Sequence, residues 1–302
     1  MKKLLLAFTI LAVGVGMSGQ TLRSIKAVEE ARARGTNENT RIKVPVAKTK
    51  VEKDYTLYTD VVRRNMWYEG VGKPISEAVA RKLPLYFKLS MKNDKGHWQL
   101  IRAMHRDTMT SRHHLSPYVL DKDTRGDTAA YAWQAKLRTV AQWMLTPGLD
   151  GREVVEERAY TKGGDMVYSF VPVRNTNGRI TGTYGDAIGL PVDMRPDPTN
   201  VYGSVVWLSL DSLGRASVID FLDGNGMRKY SSMGVDQERW IYDAAGHLVA
   251  RTMHNLAGDY MKDRLGNTAY RFIYSPQGLP TDTVTYTLDN LDQFHKDLRS
   301  ND

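Results

Sequence analysis

Three glycines, Gly214, Gly246 and Gly278, stand at equal steps of 32 residues (214 to 246 to 278), and each closes the same short motif. An apolar run leads to a polar opener, glycine follows three residues later, and a second apolar run leaves. The openers are Asp211, Asp243 and Ser275. Such a side chain bonds its own backbone two residues on, and glycine supplies the positive φ that closes a tight hairpin loop. The flanking residues are aromatic or β-branched, which suits strands. Gly226 and Gly258 form a second in-phase pair, also 32 apart (226 to 258). A fixed period of this size reads as a repeat, and repeat units bury their apolar faces only by stacking on neighbours. Two earlier segments share the layout: residues 85–101 around Asn93 and Gly96, and residues 166–180 around Asn175 and Gly178.

Helical signals are fewer. Ser76 can cap a short helix that runs to Leu83, where Pro84 stops it. Trp133, Leu137, Val140 and Met144 fall at i, i+4, i+7 and i+11, which predicts a helix over 128–145 with this face in the core. Asp127 or Thr128 would cap its start and Pro147-Gly148 would end it. The fold class expected is mainly β with a helical insertion (α+β), its consecutive antiparallel β-hairpins forming a repeat-like sheet. Residues 41–165 would form a mixed α+β region carrying the helix, and residues 166–302 the hairpin repeats.

The run Trp240-Ile241-Tyr242-Asp243-Ala244-Ala245-Gly246-His247-Leu248 resembles the YD repeat, Tyr-Asp-x-x-Gly-x-Leu, of RHS-type secreted bacterial proteins. Tyr274-Ser275-Pro276-Gln277-Gly278-Leu279 matches it with Ser in place of Asp, and Asp211 to Ala216 keeps the Asp and Gly without the Tyr. The likeness spans about residues 200–288. It implies an extracytoplasmic strip of β-hairpins used for binding or as scaffold. The period here is longer than the usual YD spacing, the units are too few for the large hollow shell of RHS toxins, and the self-cleaving C-terminal region of that family has no counterpart. WG and MORN-like repeats share the turn logic.

The start of the chain reads as an export signal over residues 1–19. Lys2 and Lys3 precede a run from Leu4 to Val15 that is apolar except for Thr9 and Gly14, and small residues follow at Gly16, Ser18 and Gly19. The run is short for a membrane span, which takes about 20 residues; an uncleaved N-terminal anchor is the alternative. Residues 20–40 read as a tether with a short helix around Leu22, Ile25 and Val28. The localisation expected is periplasmic or extracellular, with no transmembrane anchor once the signal is cleaved. Cysteine is absent, which excludes disulfides, thiolate metal sites, cysteine nucleophiles and a lipid-bearing cysteine. The net charge is +8, or +6 without Lys2 and Lys3, and residues 21–50 carry eight basic against three acidic residues. Dense Arg/Lys is not combined with a nucleic-acid-binding motif, so nucleic acid is not the expected partner; a basic arm suits an anionic surface or polymer.

Hydrolase elbows, His-Glu-x-x-His and phosphate loops are missing, and no cofactor or metal is assigned. His105, His113 and His114 read as a polar loop rather than a zinc site. The run from Asp220 to Gly226 has the wrong spacing for an EF-hand and reads as a turn. Arg125-Gly126-Asp127 spells an adhesion tripeptide, with Asp127 already accounted for as a cap. Trp240 with Tyr242, and Phe272 with Tyr274, each share one strand face. Stacked units would align these four rings, either as core or as a ladder for sugar faces. With Trp98 they are the candidate ligand-binding residues, and the partners expected are cell-envelope polysaccharide or another envelope protein. The function expected is that of an exported, non-enzymatic binding or scaffold module. The rival is an enzyme or regulatory module, with His105, Asp107, His113 and Asp121 as acid and base. N-terminal sequencing of the chain recovered from cell fractions should find the mature start between residues 19 and 21, outside the cytoplasm; Met1 retained on a cytoplasmic species would refute the export signal.

Overall fold

The chain divides into two compact units, Met1–Arg41 and Ile42–Asp302. The computed structural model describes residues 54–111, 136–192, 204–231 and 233–300, all within the second unit. The export signal, the tether, Arg125-Gly126-Asp127, Trp133, His113, His114 and Asp121 lie outside the described residues.

Alternating buried positions and glycine turns give sixteen strands among the described residues. They are β1 (Tyr55–Tyr58), β2 (Val61–Arg64), β3 (Trp67–Gly70), β4 (Tyr86–Lys92), β5 (Trp98–His105), β6 (Thr108–Met109), β7 (Val140–Pro147) and β8 (Val154–Thr161). They continue as β9 (Met166–Arg174), β10 (Ile180–Gly185), β11 (Ser204–Leu210), β12 (Ala216–Asp223), β13 (Gln237–Tyr242), β14 (Leu248–His254), β15 (Ala269–Tyr274) and β16 (Pro280–Tyr286). Fourteen form one antiparallel sheet in the order β1-β4-β5-β7-β8-β9-β10-β11-β12-β13-β14-β15-β16, with β6 paired to β5. From β7 onward, strands that follow in sequence are neighbours in the sheet. The expected run of consecutive hairpins is therefore present. Gly96, Gly178, Gly214, Gly246 and Gly278 all sit in hairpin turns with φ between 75° and 105°.

The helix expected over 128–145 is corrected. Val140–Pro147 is strand β7, and residues 128–135 lie outside the described residues; the helical part that is described is a turn at Lys136 and Leu137. Leu137 and Val140 are buried as expected, but Ala141, Trp143 and Leu145 are buried with them at a period of two. Pairing with β5 (Leu100↔Met144) and β8 (Ala159↔Trp143) selects that period over the helical one. Helix is a minor component of the described residues. Besides that turn it comprises α1 (Glu77–Ala80), capped by Ser76 as expected, and α2 (Leu291–Arg299) after a 3₁₀ turn. No helix among the described residues is long and apolar enough to cross a membrane.

The 32-residue units hold one another by contacts that repeat at that step. The Tyr242 hydroxyl donates to the Ala216 carbonyl at 3.0 Å, and that of Tyr274 donates to the Leu248 carbonyl at 3.1 Å. Arg215 lies over the Tyr242 ring at 4.6 Å, and His247 lies against the Tyr274 ring at 4.5 Å. At the opposite end of the strands, the bridges Leu222↔Arg228 and His254↔Tyr260 are likewise equivalent. The second and third units thus each present a tyrosine to the turn before them.

Strands β2 and β3 form a separate hairpin, closed by Asn65 and Met66 at φ 47° and 71°. Two successive positive φ values are those of the tight turn whose twist matches flanking strands. This hairpin and its neighbours meet the glycine turns along one end of the sheet. Trp67 stacks on His97 at 4.6 Å and donates through Nε1 to the Arg152 carbonyl at 2.8 Å. The Asn65 amide donates to the Gly214 carbonyl at 2.8 Å. Val62 and Val71 face Gly246, and Thr59 faces Gly278. Val61, Met66, Trp67 and Tyr68 join the main core with Phe87, Ile101, Trp143, Phe170, Val206 and Phe221. A smaller core lies on the other face of the last strands, where Ala250, Ala269 and Tyr286 pack under Phe294 of α2.

Arg63 carries a charge into this interior and pairs with the buried Glu157, which also accepts from the hydroxyls of Tyr68 and Tyr168. Removing one member of a buried, hydrogen-bonded pair leaves the other charge uncompensated. Glu157→Gln should destabilise the fold by about 3–5 kcal/mol, read as a lower urea midpoint at unchanged slope. A midpoint equal to that of the parent chain would show that the pair does not hold the hairpin.

Candidate binding surface

Five aromatic residues are the ligand candidates read from sequence, and four lie together. Trp240 and Tyr242 on β13, and Phe272 and Tyr274 on β15, are half-buried, with Trp240 and Phe272 packed against the main core. Ile241, on the opposite face, packs into the small core under α2. The ring-bearing face therefore looks toward the main core and its polar groups. Trp240 donates through Nε1 to the buried carboxylate of Glu238 at 2.8 Å. Arg251 stands 3.8 Å from that carboxylate and lies over the rings of Tyr270 and Phe272. Trp98 is apart from them, on β5, partly buried and covered by the Lys92 ammonium at 4.2 Å.

The residues of the rival reading have separate engagements where they are described. His105 approaches the Pro84 carbonyl through Nδ1 at 2.8 Å, and Asp107 pairs with Arg81 at 3.2 Å. In the turn expected at Asp220 to Gly226, Asp220 meets Arg228 and Gln237, while the Asp223 carboxylate accepts the amides of Asn225 and Met227.

Two polar groupings on the glycine-turn end did not stand out in the sequence. The first surrounds His247. Its Nδ1 lies 2.8 Å from the Asp243 carboxylate, while Nε2 is buried and has no hydrogen-bond partner among the described residues. A Cβ on Gly278 would lie 2.8 Å from that Nε2 and 3.0 Å from the Thr59 hydroxyl, so only glycine admits this approach. Asp60 completes the group, its carboxylate accepting from the Val61 amide at 2.8 Å. Burial raises the Asp60 carboxyl to about 6; the Val61 hydrogen bond and His247 oppose the rise, and Asp243 adds to it.

The second grouping is an open cleft of about 590 Å³ between the β9–β10 and β11–β12 turns, bounded by Asn65. Arg174, Asn177, Arg179, Ser209, Asp211 and Ser212 contribute its polar lining. Arg174 donates to the Gly178 carbonyl at 3.2 Å and to Asn65 Oδ1 at 3.3 Å, and Arg179 lies over the Trp207 ring at 5.3 Å. Neither guanidinium meets a carboxylate among the described residues. Asp211 is committed within its own turn, to the amides of Leu213 and Arg215 and to the Arg215 guanidinium at 2.7 Å. Burial works to raise its pKa, but the Arg215 and Leu213 hydrogen bonds outweigh this and hold it below the usual value. The sequence signal for the cleft was weak. Arg174 and Arg179 flank an ordinary hairpin turn, and only the adjacent turn and Asn65 make a cleft of them.

No protein-family model matches the chain, and no curated protein matches it.

The raised Asp60 pKa has a defined consequence for stability. The folded chain binds the Asp60 proton more tightly than the unfolded chain does, so stability falls as pH rises from the ordinary carboxylate range through about 6. Asp60→Asn keeps the acceptor for Val61 and removes the titration. Melts from pH 4 to 7 should show a flatter dependence than in the parent chain, and an unchanged profile would remove Asp60 from the polar group.

Proposed function

We propose that this chain is an exported, non-enzymatic module of the bacterial envelope that binds or scaffolds through a strip of β-hairpin repeats akin to YD repeats. The observation that carries this reading is the repetition of the Tyr242–Ala216 and Tyr274–Leu248 bonds, with Arg215 and His247 against the respective rings. The Tyr-Asp motif thereby acquires a structural use: its tyrosine ties one unit to the turn before it, and its aspartate or serine organises its own turn. Polar residues spent in this way hold a surface in shape. A row of turns on one rigid sheet end is a suitable platform for an extended partner, because loops on a rigid scaffold are where binding residues concentrate. Envelope polysaccharide is the partner class that best fits an exported chain with a polar cleft on that row.

Sedimentation with purified envelope polysaccharide tests the proposal, together with fractionation of cells expressing the full chain. The protein should leave the cytoplasmic fraction and pellet with the polysaccharide. A chain that stays cytoplasmic, or stays in the supernatant at every polysaccharide concentration, would overturn the reading.

A further inference from the structure

We infer that the cleft between the β9–β10 and β11–β12 turns is a binding site for a saccharide bearing carboxylate groups, with Arg174 and Arg179 as the residues that recognise the anion. The inference deepens the envelope reading and rests on it for the kind of polymer encountered.

The charge arrangement comes first. Two guanidiniums line one cleft, and their described partners are neutral: a carbonyl and an amide oxygen for Arg174, an indole ring for Arg179. Asp211, the acid in the lining, is held by its own turn and by Arg215. The cleft thus carries unneutralised positive charge, and a guanidinium presents paired N–H donors that match a planar carboxylate.

The remaining lining narrows the ligand. Asn177, Ser209 and Ser212 offer an amide and two hydroxyls, which can both donate and accept. That combination suits sugar hydroxyls, and Leu210 and Leu213 add two apolar side chains that suit the faces of sugar rings. The volume of about 590 Å³ falls in the range of clefts that take small organic ligands, and the cleft is open to solvent.

Position is held from three elements. Arg174 ends β9, Arg179 precedes β10, and the β11–β12 turn supplies the opposite wall. Asn65 ties both walls together: its amide donates to Gly214 and its side chain accepts from Arg174. The Arg179 guanidinium is braced on Trp207. An anion drawn to Arg179 would alter the environment of that indole, which provides an optical signal.

The test is calorimetric titration of the full chain with a galacturonate hexamer, its methyl ester and hexaglutamate, with Trp207→Phe used to assign the fluorescence change. The galacturonate hexamer should bind, weaken as salt is raised, and quench or shift emission that Trp207→Phe lacks. The ester and hexaglutamate should bind at least about tenfold more weakly, the scale of one charge-assisted hydrogen bond. Arg179→Ala, whose described side-chain contact is the indole, should lose about tenfold or more while keeping the parent near-ultraviolet dichroism. Lys162→Ala, at the other end of the strands, should bind as the parent does. Equal binding by Arg179→Ala, by the ester or by hexaglutamate would overturn the assignment. Polysaccharide that pellets wild type and Arg179→Ala alike would remove the cleft and leave the envelope reading intact. Galacturonate binding without envelope binding would do the reverse.

Discussion

Trp67 is the contact on which the arrangement turns. Among the described residues no helix layer covers most of this sheet, and part of its apolar face is covered by other means. The β2–β3 hairpin supplies that cover, and Trp67 seats it: fully buried, stacked on His97 and bonded to the Arg152 carbonyl, it meets two glycine turns at once. Once it is placed, Asn65 reaches the β11–β12 turn, Arg63 reaches Glu157, and Val62 and Val71 come to lie beside Gly246. The cost of bringing Arg63 inside is offset by Glu157 and by Phe170, which the guanidinium faces at 5.3 Å.

Repetition in the last third has a physical basis beyond the spacing of glycines. Equal turns alone would give equal hairpins with nothing to set their register. Tyr242 and Tyr274, each bonded to a carbonyl just past the preceding turn, pin the last hairpins to one another. The residue following the turn glycine then covers that tyrosine's ring, whether it is Arg215 or His247. Both residues also pair with the acid that opens their own turn. One turn therefore fixes its own shape and grips the next unit. Aromatic rings used in this way are committed to the fold, which is why the free polar surface is better sought in the cleft at Arg174 and Arg179.

The strand-turn order from β9 to β16 was legible because it is local. The opener, the glycine and the flanking apolar runs all lie within about ten residues, and hairpin turns are governed by interactions of that range. Ser76 was legible as a helix cap for the same reason. The stretch 137–145 was not, since its residues fit a helical stripe and an alternating strand together, and β5 and β8 decided between them. Helix α2 was not read from the sequence; its stripe of Leu291, Phe294 and Leu298 packs against Ala250, Ala269 and Tyr286, which the chain brings there only on folding.

The sequence by itself determined where the chain turns, because a positive φ needs glycine and the opening carboxylate, amide or hydroxyl needs backbone amides two and four residues on. It also determined that the apolar residues flanking these turns would alternate. Tertiary structure decided which hairpin covers part of the sheet, which face of β13 and β15 meets the main core, and which arginines meet no carboxylate among the described residues. Those outcomes join residues as far apart as Asn65 and Arg174, or Arg63 and Glu157. No local propensity carries that information, since it arises only when packing selects one set of distant neighbours over all others.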